Sequence, residues 1–114
     1  MNEKQIQTKI VQFLQSRGIF CHSVPNELAG GTQSAAIRMG QFIAMGLRKG
    51  VADMVVWWEY GTVGYLEVKD AKGKQRKEQK VFEEKCKEHG LRYDLVRSVE
   101  DVEQLLYNIR NRKE

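Results

Sequence analysis

Three residues of this 114-residue chain, Asp53, Glu67 and Lys69, are of types that can manage a metal ion or a phosphate. Their spacing brings them together. Positions 53 and 67 are equidistant from Tyr60, the middle of a turn, Glu59-Tyr60-Gly61-Thr62, between two apolar runs. An antiparallel hairpin folded there sets Asp53 opposite Glu67 or its neighbour Val68, and directly opposed Cβ atoms lie about 5 Å apart. Two like charges so close repel, so something positive should lie between them. A divalent cation held by carboxylate and carbonyl oxygens is the natural candidate. Side chains alternate along a strand, so Glu67 and Lys69 share one face while Leu66 and Val68 point to the other, into the core. A Glu and a Lys flanked by apolar residues are costly unless used or paired. The ordinary alternative is a simple Glu67–Lys69 ion pair on an exposed face. Gln79 precedes Phe82 and Cys86 on a helix face turned toward the sheet, either as a polar residue at the rim of the core or as a ligand to site water or phosphate. Glu3 sits at the top of the buried face of the first helix, either as a partner for the helix dipole or as a group aimed into the site.

The elements that must position these residues follow from apolar periodicity. A helix is expected over 3–17, with Ile6, Ile10, Phe13 and Leu14 inward and Gly18 as its stop. A short strand over 19–24 leads to a loop over 25–31. A second helix spans 33–45, with Ile37, Ile43 and Ala44 apolar and Gly46 as its stop. Residues 51–58 read as a buried strand, 59–62 as the turn and 63–69 as the returning strand. A charged helix over 75–89 carries Val81, Phe82 and Cys86 on one stripe and is closed by Gly90. A strand over 91–96 and a last helix begun by Ser98, with Asp101 three residues on and Val102, Leu105, Leu106 and Ile109 inward, complete the chain. The order α-β-α-β-β-α-β-α predicts one α/β domain over 1–114, a mixed sheet with helices packed on its faces.

Composition narrows the class. Apolar residues make up 41% of the chain, which is enough for a packed core. No run of about 18 apolar residues exists to span a membrane, and the first ten residues lack the apolar stretch of a secretory signal, so a cytoplasmic location is expected. Cys21 and Cys86 are far apart and read as reduced, buried thiols; with His22 and His89 isolated, nothing supplies the roughly four convergent ligands of a zinc site. The net charge of +4 is concentrated: Lys69, Lys72, Lys74, Arg76, Lys77 and Lys80 stand against only Asp70 and Glu78. A local basic patch on a near-neutral body suits a phosphate backbone, although a solvated helix start would carry the same charges.

At these positions the chain resembles the PD-(D/E)XK nuclease superfamily and, within it, the VRR-NUC branch. The resemblance rests on Gly50-Val51-Ala52-Asp53, then Glu67-Val68-Lys69, then Gln79 on the following helix. Glu3 at the first helix, Val24-Pro25-Asn26 after the first strand and the Val96-Arg97-Ser98 junction also match. One departure is Ala52, where the family usually has Pro; that residue shapes the backbone and donates no ligand. The resemblance implies a restriction-endonuclease-like mixed sheet flanked by helices. It also implies Mg²⁺ or Mn²⁺ on Asp53, Glu67 and the Val68 carbonyl, with Lys69 orienting the attacking water and Glu3 and Gln79 completing the site. The implied reaction is phosphodiester hydrolysis, in branched DNA such as four-way junctions, by a homodimer of a kind common in phage genomes and acting in the host cytoplasm. Phosphate contacts are expected from Lys72, Lys74, Arg76 and Lys77, and from Arg38, Arg48 and Lys49 on the other side. Two other readings remain open: a non-catalytic nucleic-acid-binding module that kept the fold, and a sequence-specific cleaver of the restriction type.

Overall fold

The computed structural model describes residues 1–25 and 34–111, and the side chains of all of these but 34–36. Its elements run α1 (Glu3–Ser16), β1 (Phe20–Ser23), α2 (Ser34–Ala44), β2 (Met54–Trp57), β3 (Val63–Val68), α3 (Lys77–Glu88), β4 (Arg92–Val96) and α4 (Val99–Asn111). That is the order expected from the sequence. The starting Gln33 of the expected second helix, Asn26 and most of the expected loop over 25–31 lie outside the described residues.

The strands form one mixed sheet in the order β1-β2-β3-β4. The first two pairings are antiparallel and β3–β4 is parallel. The β2–β3 register runs Met54↔Leu66 to Trp57↔Val63, so every pair is symmetric about Tyr60. Tyr60 and Gly61 both have positive φ, at 61° and 72°, and the Thr62 N–H donates to the Glu59 carbonyl at 3.2 Å. Positive φ at both central positions gives a turn whose twist matches that of the flanking strands.

Even-numbered positions of β2 and β3 face a core in which Met54, Val56, Leu66 and Val68 are fully buried against Ile10 and Leu14 of α1 and Val102 and Leu106 of α4. Both helices present an apolar stripe at helical spacing. The cap read at Ser98 is present, with the Asp101 N–H reaching its hydroxyl at 3.2 Å, and at the start of α1 Asn2 accepts from the Gln5 N–H at 2.9 Å. The opposite face carries the odd positions. There α3 covers Tyr65 and Tyr93 through Phe82, whose ring meets Tyr65 edge-on at 4.9 Å.

Three expectations need correction. Val81 is 50% exposed, because the face of α3 that meets the sheet passes through Gln79, Phe82 and Cys86 and leaves Val81 to one side. The run over 51–58 is not buried throughout. Trp57 points to the odd face beyond the reach of α3 and is 53% exposed, in contact with Phe20 on the neighbouring edge strand. Phe13 is only partly buried on the flank of α1. Among the described residues α2 makes no close approach to another element, and Ile37 is 66% and Ile43 46% exposed. Cys21 and Cys86 are free thiols, and burial pushes both up from the ordinary value. No helix among the described residues is long and apolar enough to cross a membrane.

Candidate active site

Asp53 precedes β2 by one residue and lies where the hairpin register, extended one step, sets it across from Glu67. It ties three strands together. Its carbonyl accepts from the Val24 N–H at 2.8 Å, beyond the end of β1, and its Oδ2 accepts from the Val68 N–H at 2.7 Å. The carboxylate takes a bond that a strand carbonyl would otherwise supply, which fixes its place beside β3.

Glu67 is 1% exposed and Lys69 5% exposed, on the same face of the sheet. Lys69 Nζ stands 3.8 Å from Glu67 Oε2. The two do form an ion pair, but a buried one, which excludes the exposed surface pair as an account of them. Burying two charges costs free energy that one contact at this distance does not return, so such a pair in a small domain needs another reason. Glu67 Oε2 also accepts from Gln79 Nε2 at 3.0 Å, while Gln79 Oε1 accepts from the Arg76 N–H at 2.8 Å, at the start of α3. One amide therefore both caps the helix and holds the carboxylate. The Tyr93 hydroxyl lies 3.5 Å from Glu67 Oε1.

Burial, then the charge of Asp53, push the Glu67 carboxyl up to about 8; Lys69 pulls it the other way, and Glu3 adds to the rise. A raised carboxyl holds its proton in the folded state after the unfolded chain has lost it. The stability this proton supplies is complete below the ordinary value near 4.5 and is lost as pH climbs toward about 8. Metal-free protein should therefore melt at progressively lower temperature between about pH 5 and pH 8. Calorimetric scans across that window check this, and Glu67→Gln should flatten the slope.

Glu3, in the first turn of α1, opens with Gln7, Ser23, Pro25 and Asp53 onto a cleft of about 350 Å³. It borders Gly73 as well: a Cβ there would lie 3.3 Å from Glu3 Oε2 and 3.4 Å from Lys69 Cδ. The loop after Lys69 thus runs alongside the carboxylates. Asp70 Oδ1 accepts from the N–H groups of Lys72 and Gly73 at 3.0 and 2.6 Å, and Arg97 donates to the carbonyls of Asp70 and Gly73 at 2.6 and 2.7 Å. Pinned this way, the loop presents Lys72, Lys74, Arg76 and Lys77 to solvent next to the site. Arg48 and Lys49 are exposed beside the first turns of α3, where they line a second cleft with Glu78, Val81 and Phe82. Arg38 is exposed on α2, whose Ile43 lines that second cleft as well.

Asp53, Glu67, Lys69, Glu3 and Gln79 are therefore brought together, with the basic loop at their edge. Sequence reasoning missed Tyr93 and Gln75. No periodicity marks them, and only the parallel register that pairs Tyr65 with Tyr93 could have drawn Tyr93 to this end of the sheet. Among the described residues the candidate donors at this place are oxygens: the Asp53 and Glu67 carboxylates and the Val68 carbonyl, with Glu3 close by. No cluster of three or more His, Cys, Asp and Glu side chains is poised as a metal cage among the described residues. Such a set could hold a hard cation that keeps several of its own waters, and it is unsuited to zinc.

A four-stranded mixed sheet flanked by helices, with two carboxylates and a lysine at the open end of the β2–β3 hairpin, away from its turn, is a nuclease-type α/β fold, and solved structures share it. A structure described as "VRR_NUC domain" is 21% identical, matches 92% of this chain and 94% of its own, and superposes with a TM-score of 0.65. A second, described as "VRR_NUC domain protein", is 17% identical, with coverage of 97% and 87% and a TM-score of 0.68. The chain belongs to the VRR-NUC domain family, which it matches over residues 1–100. No curated protein matches it. A nuclease domain implies a nucleic-acid substrate.

Proposed function

We propose that this protein is a metal-dependent endodeoxyribonuclease of the PD-(D/E)XK type that hydrolyses phosphodiester bonds in branched DNA, four-way junctions included. The observation that carries the reading is the trio of half-buried Asp53 with buried Glu67 and Lys69. Asp53 and Glu67 stand together with Lys69 3.8 Å from the Glu67 carboxylate, and burial with the Asp53 charge raises Glu67 to about 8. Asp53, Glu67 and the Val68 carbonyl would hold Mg²⁺ or Mn²⁺, which would supply Lewis acidity and make a water easier to deprotonate for attack on phosphorus. Lys69 orients that water and offsets the charge that grows on the phosphate. Gln79 fixes Glu67 through one hydrogen bond. Glu3 closes the carboxylate side of the cleft.

The basic loop over 70–77 grips phosphates flanking the cut, with Arg48, Lys49 and Arg38 doing so elsewhere. Such contacts position a duplex and read no sequence. Binding should weaken steeply with salt: about four to six phosphate contacts correspond to a loss of two to three orders of magnitude between 50 and 200 mM. Fluorescence anisotropy across that range measures it, and a constant affinity contradicts it.

Paired cuts at a four-way junction call for two active sites related by a two-fold axis. The exposed Ile37, Phe42, Ile43 and Met45 of α2 and the residue after it are the apolar surface offered for pairing two copies. Cleavage of single-stranded, duplex, flap and four-way substrates with Mg²⁺ or Mn²⁺, together with light scattering for mass, tests the whole reading. The junction cut fastest by a dimer supports it. DNA bound but uncut under every metal condition shows instead a binding module that kept the fold.

A further inference from the structure

We propose that Tyr93 is a positioning residue for Glu67, aimed at it by Gln75 and Glu83. The inference rests on the metal-centre reading and deepens it. Tyr93 lies on β4, two residues before Leu95, the register partner of Glu67, so alternation puts Tyr93 and Glu67 on the same face of the sheet. Its hydroxyl oxygen has two polar neighbours, Gln75 Nε2 at 3.0 Å and Glu67 Oε1 at 3.5 Å.

The direction of these bonds follows from which groups can donate. Gln75 Nε2 also reaches Glu83 Oε1 at 3.1 Å. A carboxylate only accepts, so the end of the Gln75 amide that faces it must be the NH₂. That NH₂ has two hydrogens, one for Glu83 and one for the Tyr93 oxygen. The phenol thus accepts from Gln75, and its own hydrogen is left to point at Glu67. A phenol carries one hydrogen, and Glu67 Oε1 is the acceptor it faces. The 3.5 Å separation is long for an O–H···O bond, and such bonds commonly tighten when a site is loaded.

The consequence is a carboxylate restrained at both oxygens. Gln79 and Lys69 hold Oε2, and Tyr93 holds Oε1. A ligand oxygen that cannot rotate loses less freedom when a cation binds, and partners of this kind tune metal affinity. The ring is placed independently of the hydroxyl, with Phe82 at 6.2 Å, so removing the oxygen leaves the packing intact.

The test is Tyr93→Phe in the full chain, read by calorimetric titration of Mn²⁺ without DNA, with metal-free DNA affinity and melting temperature measured alongside. Mn²⁺ affinity should fall about tenfold while DNA affinity stays within twofold. Gln75→Ala should shift Mn²⁺ affinity in the same direction by less, and the double variant should be no worse than Tyr93→Phe, because the two act in series. Wild-type protein that binds Mn²⁺, with Tyr93→Phe matching it, overturns this inference and leaves the metal centre standing. Wild-type protein that binds no Mn²⁺ overturns both. If Tyr93→Phe loses its fold, Gln75→Ala decides: unchanged Mn²⁺ affinity there overturns the proposal.

Discussion

Asp53→Asn should lower single-turnover DNA cleavage by about three orders of magnitude or more, since it removes a charge from the proposed metal centre on which both water activation and phosphate polarisation depend. The fold should survive. An Asn oxygen can still accept from the Val68 N–H, the bond that Asp53 Oδ2 makes at 2.7 Å, and the backbone bond from Val24 is untouched. The change also removes the charge that, after burial, does most to raise the Glu67 carboxyl, so metal-free protein at pH 8 should melt no lower than wild type. Activity lost with stability kept or gained is the signature of a group placed for chemistry at the expense of folding. Lys69→Ala should share the loss of cleavage. It should also destabilise, because it leaves Glu67 buried without Lys69, the cation paired with it. Measuring melting curves beside cleavage rates separates these cases. Asp53→Asn protein that cleaves at the wild-type rate contradicts the assignment.

The second large effect belongs to a residue with no chemistry of its own. Gly50 is buried with φ of +85°, and a Cβ built on it would lie 2.4 Å from the backbone carbon and oxygen of Glu78 in the first turn of α3. Gly50→Ala must therefore strain its own backbone and push the helix away, at a cost on the order of 3 kcal/mol. Gln79, the next residue, holds Glu67, so the displaced turn carries the clamp with it. Denaturant unfolding should show the loss of stability. Cleavage measured where the variant is still folded should fall as well, because a shift of the clamp reaches the carboxylate. Unchanged stability would mean that the first turn of α3 can yield freely.

Both predictions show what the sequence made legible. The hairpin centre at Tyr60 and the alternation of β3 were enough to pair Asp53 with Glu67 and put Lys69 beside them, because the register of a short hairpin is set by its turn. The helices α1 and α4 were legible from their apolar stripes and caps. The parallel β3–β4 pairing was not, since its strands are joined through α3 and no local turn sets their offset; Tyr93 was hidden with it. Gln79 was placed on the right face, but its engagement with Glu67 and the Arg76 N–H depends on where α3 starts, at Lys77 rather than the expected 75. The exposed apolar residues of α2 carry the same amphipathic signal as a packed helix, and one chain's sequence does not say what covers them.

Crystals soaked in Mn²⁺ and examined by anomalous scattering address the central claim most directly. The account predicts a single strong peak per protomer within about 2.0–2.3 Å of an Asp53 Oδ, a Glu67 Oε and the Val68 carbonyl oxygen, distances suited to hard oxygen-bound cations. A Mn²⁺ ion bound elsewhere, or none at this position at saturating concentration, would contradict it.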